Sequence, residues 1–274
     1  MTQTRRPTMS DDLSSDFFVP NSERDPLRAV KEEGRRKLPK RFYKQVSVAP
    51  RDGGVAILLD GKPIRTPAGG ALALPTQTAA ELVAAEWAAL GELIDPATMP
   101  VTRLVNTALD GVARDLAAVA ADIVKYAGSD LVCYRAGEPN GLVAAQATAW
   151  DPAVSFARER HGARFILAEG VMFQQQPEEA LAALARAVDR HAQGSDAALR
   201  IAALHSMTTL LGSALLALMV ADGARSAEEA WAAAHVDEDY QMKLWGADDE
   251  ALAKRAQRFV DMKAAADLWA ALSA

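Results

Sequence analysis

The sequence predicts an α+β protein: a small antiparallel β-rich unit at residues 39–75, a larger all-helical unit at 76–274, and a flexible tail at 1–38. Three observations lead there. Strand alternation with tight-turn signals is confined to about 35 residues after Phe42. From residue 76 onward, runs such as AAELVAAEWAAL and ALAALARAVDRHA are built from Ala, Leu, Glu and Arg, the strongest helix formers. Before residue 39, polar, charged and Pro residues mix without a sustained period, as in a loosely docked segment.

In chain order, FYKQVSVAP alternates as a half-buried strand, RDGG turns the chain, and VAILLD makes a second strand. Asp60-Gly61 is a strong hairpin signal and has no further role in this reading. KPIRTP and ALAL, separated by Ala68-Gly69-Gly70, complete three or four short strands. Thr78 and Glu81 have capping-box spacing ahead of an amphipathic helix ending at Gly91. Pro100 opens a helix through Asp110, and Asp115 opens another through Tyr126, stopped by Gly128-Ser129. Further helices are expected at roughly 139–149, 151–161, 177–192, 196–221, 227–235, 236–245 and 250–272, with Ser226 and Glu229 forming a second capping box.

The stretch from Ile201 to Ala221 contains no Asp, Glu, Lys or Arg and matches a transmembrane helix in length. His205, Ser206, Thr208, Thr209 and Ser213 dilute its apolar character, and Arg200 and Asp222 bracket it. It is read as a helix buried all round, with His205, Thr209 and Gly212 on a polar seam, in a protein without stable membrane insertion.

Half of the residues are hydrophobic, which excludes disorder throughout. A net charge of -6 argues against a nucleic-acid partner, because phosphate contacts require a basic surface. The seven Lys and Arg residues between Lys31 and Lys44 precede the first strand and read as a solvated linker. The single cysteine, Cys133, excludes an intramolecular disulfide framework and suits a reducing compartment; within DLVCYR it reads as a buried, inert thiol. The amino terminus lacks an apolar signal core, so the expectation is a cytoplasmic protein in a bacterium, or a matrix protein if it is eukaryotic and processed.

The sequence holds no phosphate-cradling glycine loop and no nucleophile elbow, and its four histidines show no i, i+4 pairing. The best metal constellation is His235, Asp237 and Glu238, which keeps a helical metal-dependent enzyme as the alternative reading. The expectation remains no catalytic residue, no metal and no cofactor.

One segment, HVDEDYQMKLWGADDE at 235–250, stands out. On a helical wheel Val236, Tyr240 and Leu244 share an apolar face, and Met242 and Trp245 form a second patch with Glu238 between them. Asp239 has Lys243 four residues later as an exposed ion-pair partner. Glu238 has no helical partner, so it is either buried against an internal cation or presented to a cation from another molecule.

Six segments in matching order, RFYKQVSV, LDGKPIRTP, AAEWAA, MPVTRLVNTALD, SDLVCYR with QATAWDP, and EDYQMKLWG, carry a family resemblance from about Arg41 to Leu268. The chain resembles the assembly chaperones that escort the alpha subunit of the F-type ATP synthase catalytic head. Val132 and Cys133 depart from the more polar pattern associated with that family. The resemblance implies a small β-rich unit followed by a helical one, no catalysis, and a chaperone that binds the unassembled alpha subunit; a monomer is expected, since an exposed binding patch gains nothing from self-association. Such a protein covers the beta-facing interface until the alpha/beta hexamer forms. It also moves Glu238 from a structural to a recognition role, with Gln241 and Trp245 at i+3 and i+7 on the same helical line and Asp237 beside it. Arg103 and Asn106 line a polar ridge of MPVTRLVNTALD and read as structural, bridging to Asp110 or to a carboxylate of the last helices, with partner contact as the other option.

Overall fold

The computed structural model describes residues 38–51 and 53–273; the tail expected at 1–38 lies, but for its last residue, outside the described residues. Strand β1 (Val46–Arg51) pairs antiparallel with β2 (Gly54–Leu59) in the register Val48↔Ile57. Strands β3 (Lys62–Pro63) and β4 (Ala73–Leu74) also pair antiparallel with β2. The continuous apolar run of β2 buries Ala56, Ile57, Leu58 and Leu59 on both faces. Asp60 and Gly61 take φ of 48° and 78°, as a two-residue hairpin turn requires. The Asp60 carboxylate accepts the backbone N–H groups of Lys44 and Gln45, which hold its pKa below the usual value and tie the turn to the chain entering β1.

Arg41 corrects the linker reading of the basic stretch. Its guanidinium donates to the Leu90 and Ala88 carbonyls at the end of the first helix, α1 (Gln77–Ala89), and lies over the Tyr43 ring at 4.6 Å. A cation on the last carbonyls of a helix satisfies orphan acceptors and opposes the helix dipole. The cap of α1 is Thr76 rather than Thr78: its hydroxyl accepts the Ala79 N–H at 3.1 Å and donates to the Ala271 carbonyl at 2.7 Å.

Helices α2 (Pro100–Asp110) and α3 (Leu116–Ala127) start and stop where the capping signals place them. Asp110 reaches back to the sheet, accepting from the Thr66 hydroxyl at 2.6 Å and from Ala68 N–H at 2.9 Å. The two helices expected at 139–149 and 151–161 are one, α4 (Asn140–His161), which runs through Pro152. Burial of Trp150 and Ala153 on either side of the proline, and the Trp150 indole N–H bonded to the Ala233 carbonyl at 2.7 Å, hold the helix together against the lost backbone bond. A short parallel pair, β5 (Tyr134–Arg135) with β6 (Ala168–Glu169), is an element the sequence pattern did not indicate.

Helix α5 covers Glu178–Asp189. The apolar span expected as one helix at 196–221 is two, α6 (Ala197–Leu211) and α7 (Ala214–Ala221). Gly212 ends α6 at φ 64°, and the Ser213 hydroxyl caps α7 through Leu216 N–H at 3.0 Å. Both helices are buried on nearly every side, α6 packing against α2, α3 and the last helix. Among the described residues no helix is long and apolar enough to cross a membrane. Three more helices follow: α8 (Ala227–Ala234), which starts with the expected Ser226–Glu229 capping box, α9 (Val236–Trp245) and α10 (Asp249–Ala271).

His205 of α6 is 3% exposed and meets Asp122 of α3 at 2.9 Å. Burial outweighs the carboxylate and holds its pKa below the ordinary 6.5. A base depressed on folding takes its proton more readily when unfolded, so its neutral form contributes stability above 6.5 that is lost as pH falls. In urea unfolding, the stability deficit of His205→Gln relative to wild type is therefore expected to narrow between about pH 7 and pH 5.

Candidate functional site

The elbow α8–α9–α10 arranges the segment that stands out in the sequence. At its first corner His235 is buried, its Nδ1 at 2.7 Å from the Trp231 carbonyl and its ring 4.2 Å from the Trp231 ring. Burial, aided by the charge of Arg255, holds the imidazole pKa below its usual value, so the ring is neutral near pH 7 and Nδ1 is the donor. At the second corner Gly246 ends α9 at φ 93°, and the Asp248 carboxylate caps α10 through Glu250 and Ala251 N–H.

No residue of α9 is fully buried, so polar pins hold the helix in place. Asp239 forms a two-pronged ion pair with Arg255 of α10, in place of the expected partner Lys243. The reason is geometric: a cation fixed on the neighbouring helix offers two N–H groups, whereas exposed Lys243 would have to be ordered by the pair itself. Asp237 accepts from the Gln146 side-chain N–H of α4 at 2.7 Å. Tyr240 lies so close to α4 that a Cβ at Gly141 would stand 2.7 Å from its hydroxyl and 3.2 Å from its ring.

Beyond these pins, the carboxy-terminal half of α9 projects. Glu238, Gln241, Met242 and Trp245 line one side of an open groove of about 250 Å³, closed on the other by Asp248, Ala251, Leu252 and Arg255. Trp245 is 85% exposed, and Leu244, which the wheel places with Val236 and Tyr240, is exposed as well. The Glu238 side chain is 64% exposed, and its carboxylate stands a long 3.9 Å from His235 Nε2. The groove thus presents an apolar floor, a large indole and a carboxylate, while the charge of Arg255 is engaged by Asp239.

The structure therefore brings Glu238, Gln241 and Trp245 together and turns Asp237 away, into the contact with Gln146. His235, Asp237 and Glu238 do not converge as one set: His235 Nε2 comes within 3.9 Å of the Glu238 carboxylate, but Asp237 turns away to Gln146. Among the described residues no three His, Cys, Asp or Glu side chains gather as metal ligands would. Arg103 pairs with Asp261 of α10 at 2.6 Å, the internal bridge to the last helices that was one of its expected partners. Asn106 keeps a buried Oδ1 without a hydrogen-bond partner among the described residues. Leu252 and Arg255 are groove residues that sequence reasoning missed, since only the turn at Gly246 folds α10 back against α9.

An exposed aromatic groove on a helical body with a small sheet has the chemistry of a surface at which another protein docks. Residues 40–158 match the family model described as ATP12 chaperone protein. The crystal structure of the Atu1473 protein from Agrobacterium tumefaciens is 50% identical, with a TM-score of 0.82 over 92% of each chain. Atp12 from Paracoccus denitrificans is 38% identical, with a TM-score of 0.78 over 85% of this chain and 98% of that one. The mitochondrial protein atp12 of Schizosaccharomyces pombe is 22% identical over 224 residues, covering 77% of this chain and 75% of that protein. The chain belongs to the ATP12 chaperone family, whose members are chaperones of ATP synthase assembly. The groove lies beyond the residues that the family model matches.

The pin at Gly141 is testable by sign. At an unhindered helical position Gly→Ala gains about 0.5–1 kcal/mol. Against Tyr240, Gly141→Ala is expected to cost about 1 kcal/mol instead. In a Tyr240→Ala background the same change is expected to stabilise, as a double-mutant cycle of denaturant midpoints would show.

Proposed function

We propose that this chaperone binds the unassembled alpha subunit of the F-type ATP synthase catalytic head and shields its beta-facing interface until the alpha/beta hexamer forms. It acts as a monomer without cofactor, in the bacterial cytoplasm, or in the mitochondrial matrix if the chain is eukaryotic. The observation that carries the reading is the exposed Trp245 beside an uncommitted Glu238 in one groove.

Tryptophan is an enriched interface anchor, and burying a side chain of its size contributes on the order of 4–6 kcal/mol before the costs of association. Glu238 supplies direction, because a carboxylate in such a groove favours a client Arg or Lys and penalises an acidic patch. A subunit of an obligate complex exposes an apolar interface when alone, and a cover of moderate affinity prevents aggregation yet yields to the correct partner by competition. The family membership and the uncommitted groove support this reading together.

Affinity purification from the native cell is expected to recover alpha subunit free of beta; recovery of the assembled head, or of no subunit, counts against the reading. Glu238→Lys is expected to abolish protection of the alpha subunit from aggregation. Its structural cost should stay near the 0.3–1 kcal/mol of reversing a charge in the first turn of a helix. A fall in the thermal midpoint well beyond that would make Glu238 a structural residue.

A further inference from the structure

The chain from Ile166 to Gln176 forms a loop that is pinned at its neck and apolar at its tip. Gln176 is 3% exposed; its Oε1 accepts Ile166 N–H at 2.8 Å and its Nε2 donates to the Ile166 carbonyl at 2.9 Å, so one amide replaces a strand partner. Strand β6 pairs with β5, Gly170 N–H donates to the Arg135 carbonyl at 2.9 Å, and φ of 80° at Gly170 turns the chain outward. Past that turn Val171, Met172 and Phe173 are 96%, 79% and 71% exposed, and Ile166 and Leu167 at the neck are partly so. A frayed loop would explain exposed apolar residues cheaply. A loop fixed by a buried amide and a strand pair holds them in water at a standing cost, the arrangement of a preorganised contact surface.

We infer that this loop is a second contact for the same client, engaging an apolar patch of the alpha subunit while the α9–α10 groove engages another. The inference rests on the reading of the protein as an alpha-subunit chaperone. Charge complementarity supports it: between residues 162 and 181 the chain carries Glu169, Glu178 and Glu179 against a single cation, Arg164. The tip is thus an apolar centre on an acidic segment, as Trp245 is beside Glu238 and Asp248, and both sites suit one client surface of apolar patches with basic margins. An anionic lipid surface is disfavoured by the same charges. The two sites are also joined physically. The buried Gln146 amide accepts Ala136 N–H, one residue past β5, at 2.8 Å and donates to Asp237 of α9 at 2.7 Å. The strand that supports the loop and the helix that presents the groove hang on one side chain, so their spacing is fixed before the client arrives.

The test measures affinity for purified alpha subunit with the full chain carrying Val171→Ser, Met172→Ser and Phe173→Ser together. The expected result is a loss of about tenfold or more, with the thermal midpoint unchanged. Unchanged affinity overturns the inference. If Glu238→Lys still weakens binding in that case, the groove reading stands alone; if neither variant matters, both fall. A photo-reactive phenylalanine analogue in place of Phe173 supplies an independent readout: crosslinking to the alpha subunit supports the inference and its absence overturns it. Flotation of the wild-type protein with phosphatidylglycerol vesicles, lost in the triple variant while alpha-subunit affinity is kept, assigns the loop to lipid and also overturns it.

Discussion

Asp130 sits wholly out of water, where its carboxylate accepts the backbone N–H groups of Val132 at 3.2 Å and Leu215 at 3.1 Å. Leu131 N–H donates to the Gly212 carbonyl at 3.1 Å in the same place. Burial pushes the acid up to about 6, and the bonds from Ser213, Leu215, Val132 and Ala214 pull the other way. A buried acceptor of this kind costs several kcal/mol unless its bonds are made, so the chain is committed to the geometry that makes them. That geometry is a break between α6 and α7. Once the apolar stretch is broken there, α6 can pack against α2, α3 and α10 while α7 meets α4, α3 and α8, and the other helices are placed around the pair.

The site obeys a different logic from the core. Helix α9 buries no residue fully and is positioned by an ion pair to α10, an amide to α4 and the seat of Tyr240 over Gly141. Directional contacts fix a helix without using up its apolar surface, which leaves Leu244 and Trp245 available. The carboxylates divide the work by position: Asp237 and Asp239 face neighbouring helices and serve as struts, and Glu238 between them faces out. The loop from Ile166 to Gln176 is made on the same plan, with a buried amide at its base and apolar side chains at its end.

An exposed apolar surface of this type is inexpensive in fold stability but costly in solubility. Exposed Phe173 and Trp245 are sites at which copies of the chain could associate, and nearby carboxylates oppose that by like-charge repulsion, in keeping with the net charge of -6. On the proposed function, the same carboxylates would make the surface selective for a client that brings apolar area and basic margins together.

Local chemistry was legible in the residues themselves. The Asp60-Gly61 turn, the proline at the start of α2, the Asp115 cap, the Ser226–Glu229 box and the limits of α9 follow from sterics and hydrogen bonds that neighbouring residues supply. Glu238 also stood out, because its wheel position conflicts with its charge. The helix through Pro152 could not be read in this way, because tertiary burial outweighs a local breaker. The break at Gly212-Ser213 does carry a local stop and cap, which a charge-free apolar run obscures and a carboxylate more than eighty residues away in sequence reinforces. The same holds for Asp239, whose true partner Arg255 becomes a neighbour only when α10 folds back. The sequence by itself determined the α+β class, the placement of the short antiparallel strands ahead of the helices and the unusual carboxylate on α9. The tertiary structure alone decided which charges are consumed within the chain and which apolar side chains remain in water, because both depend on contacts between segments distant along the chain.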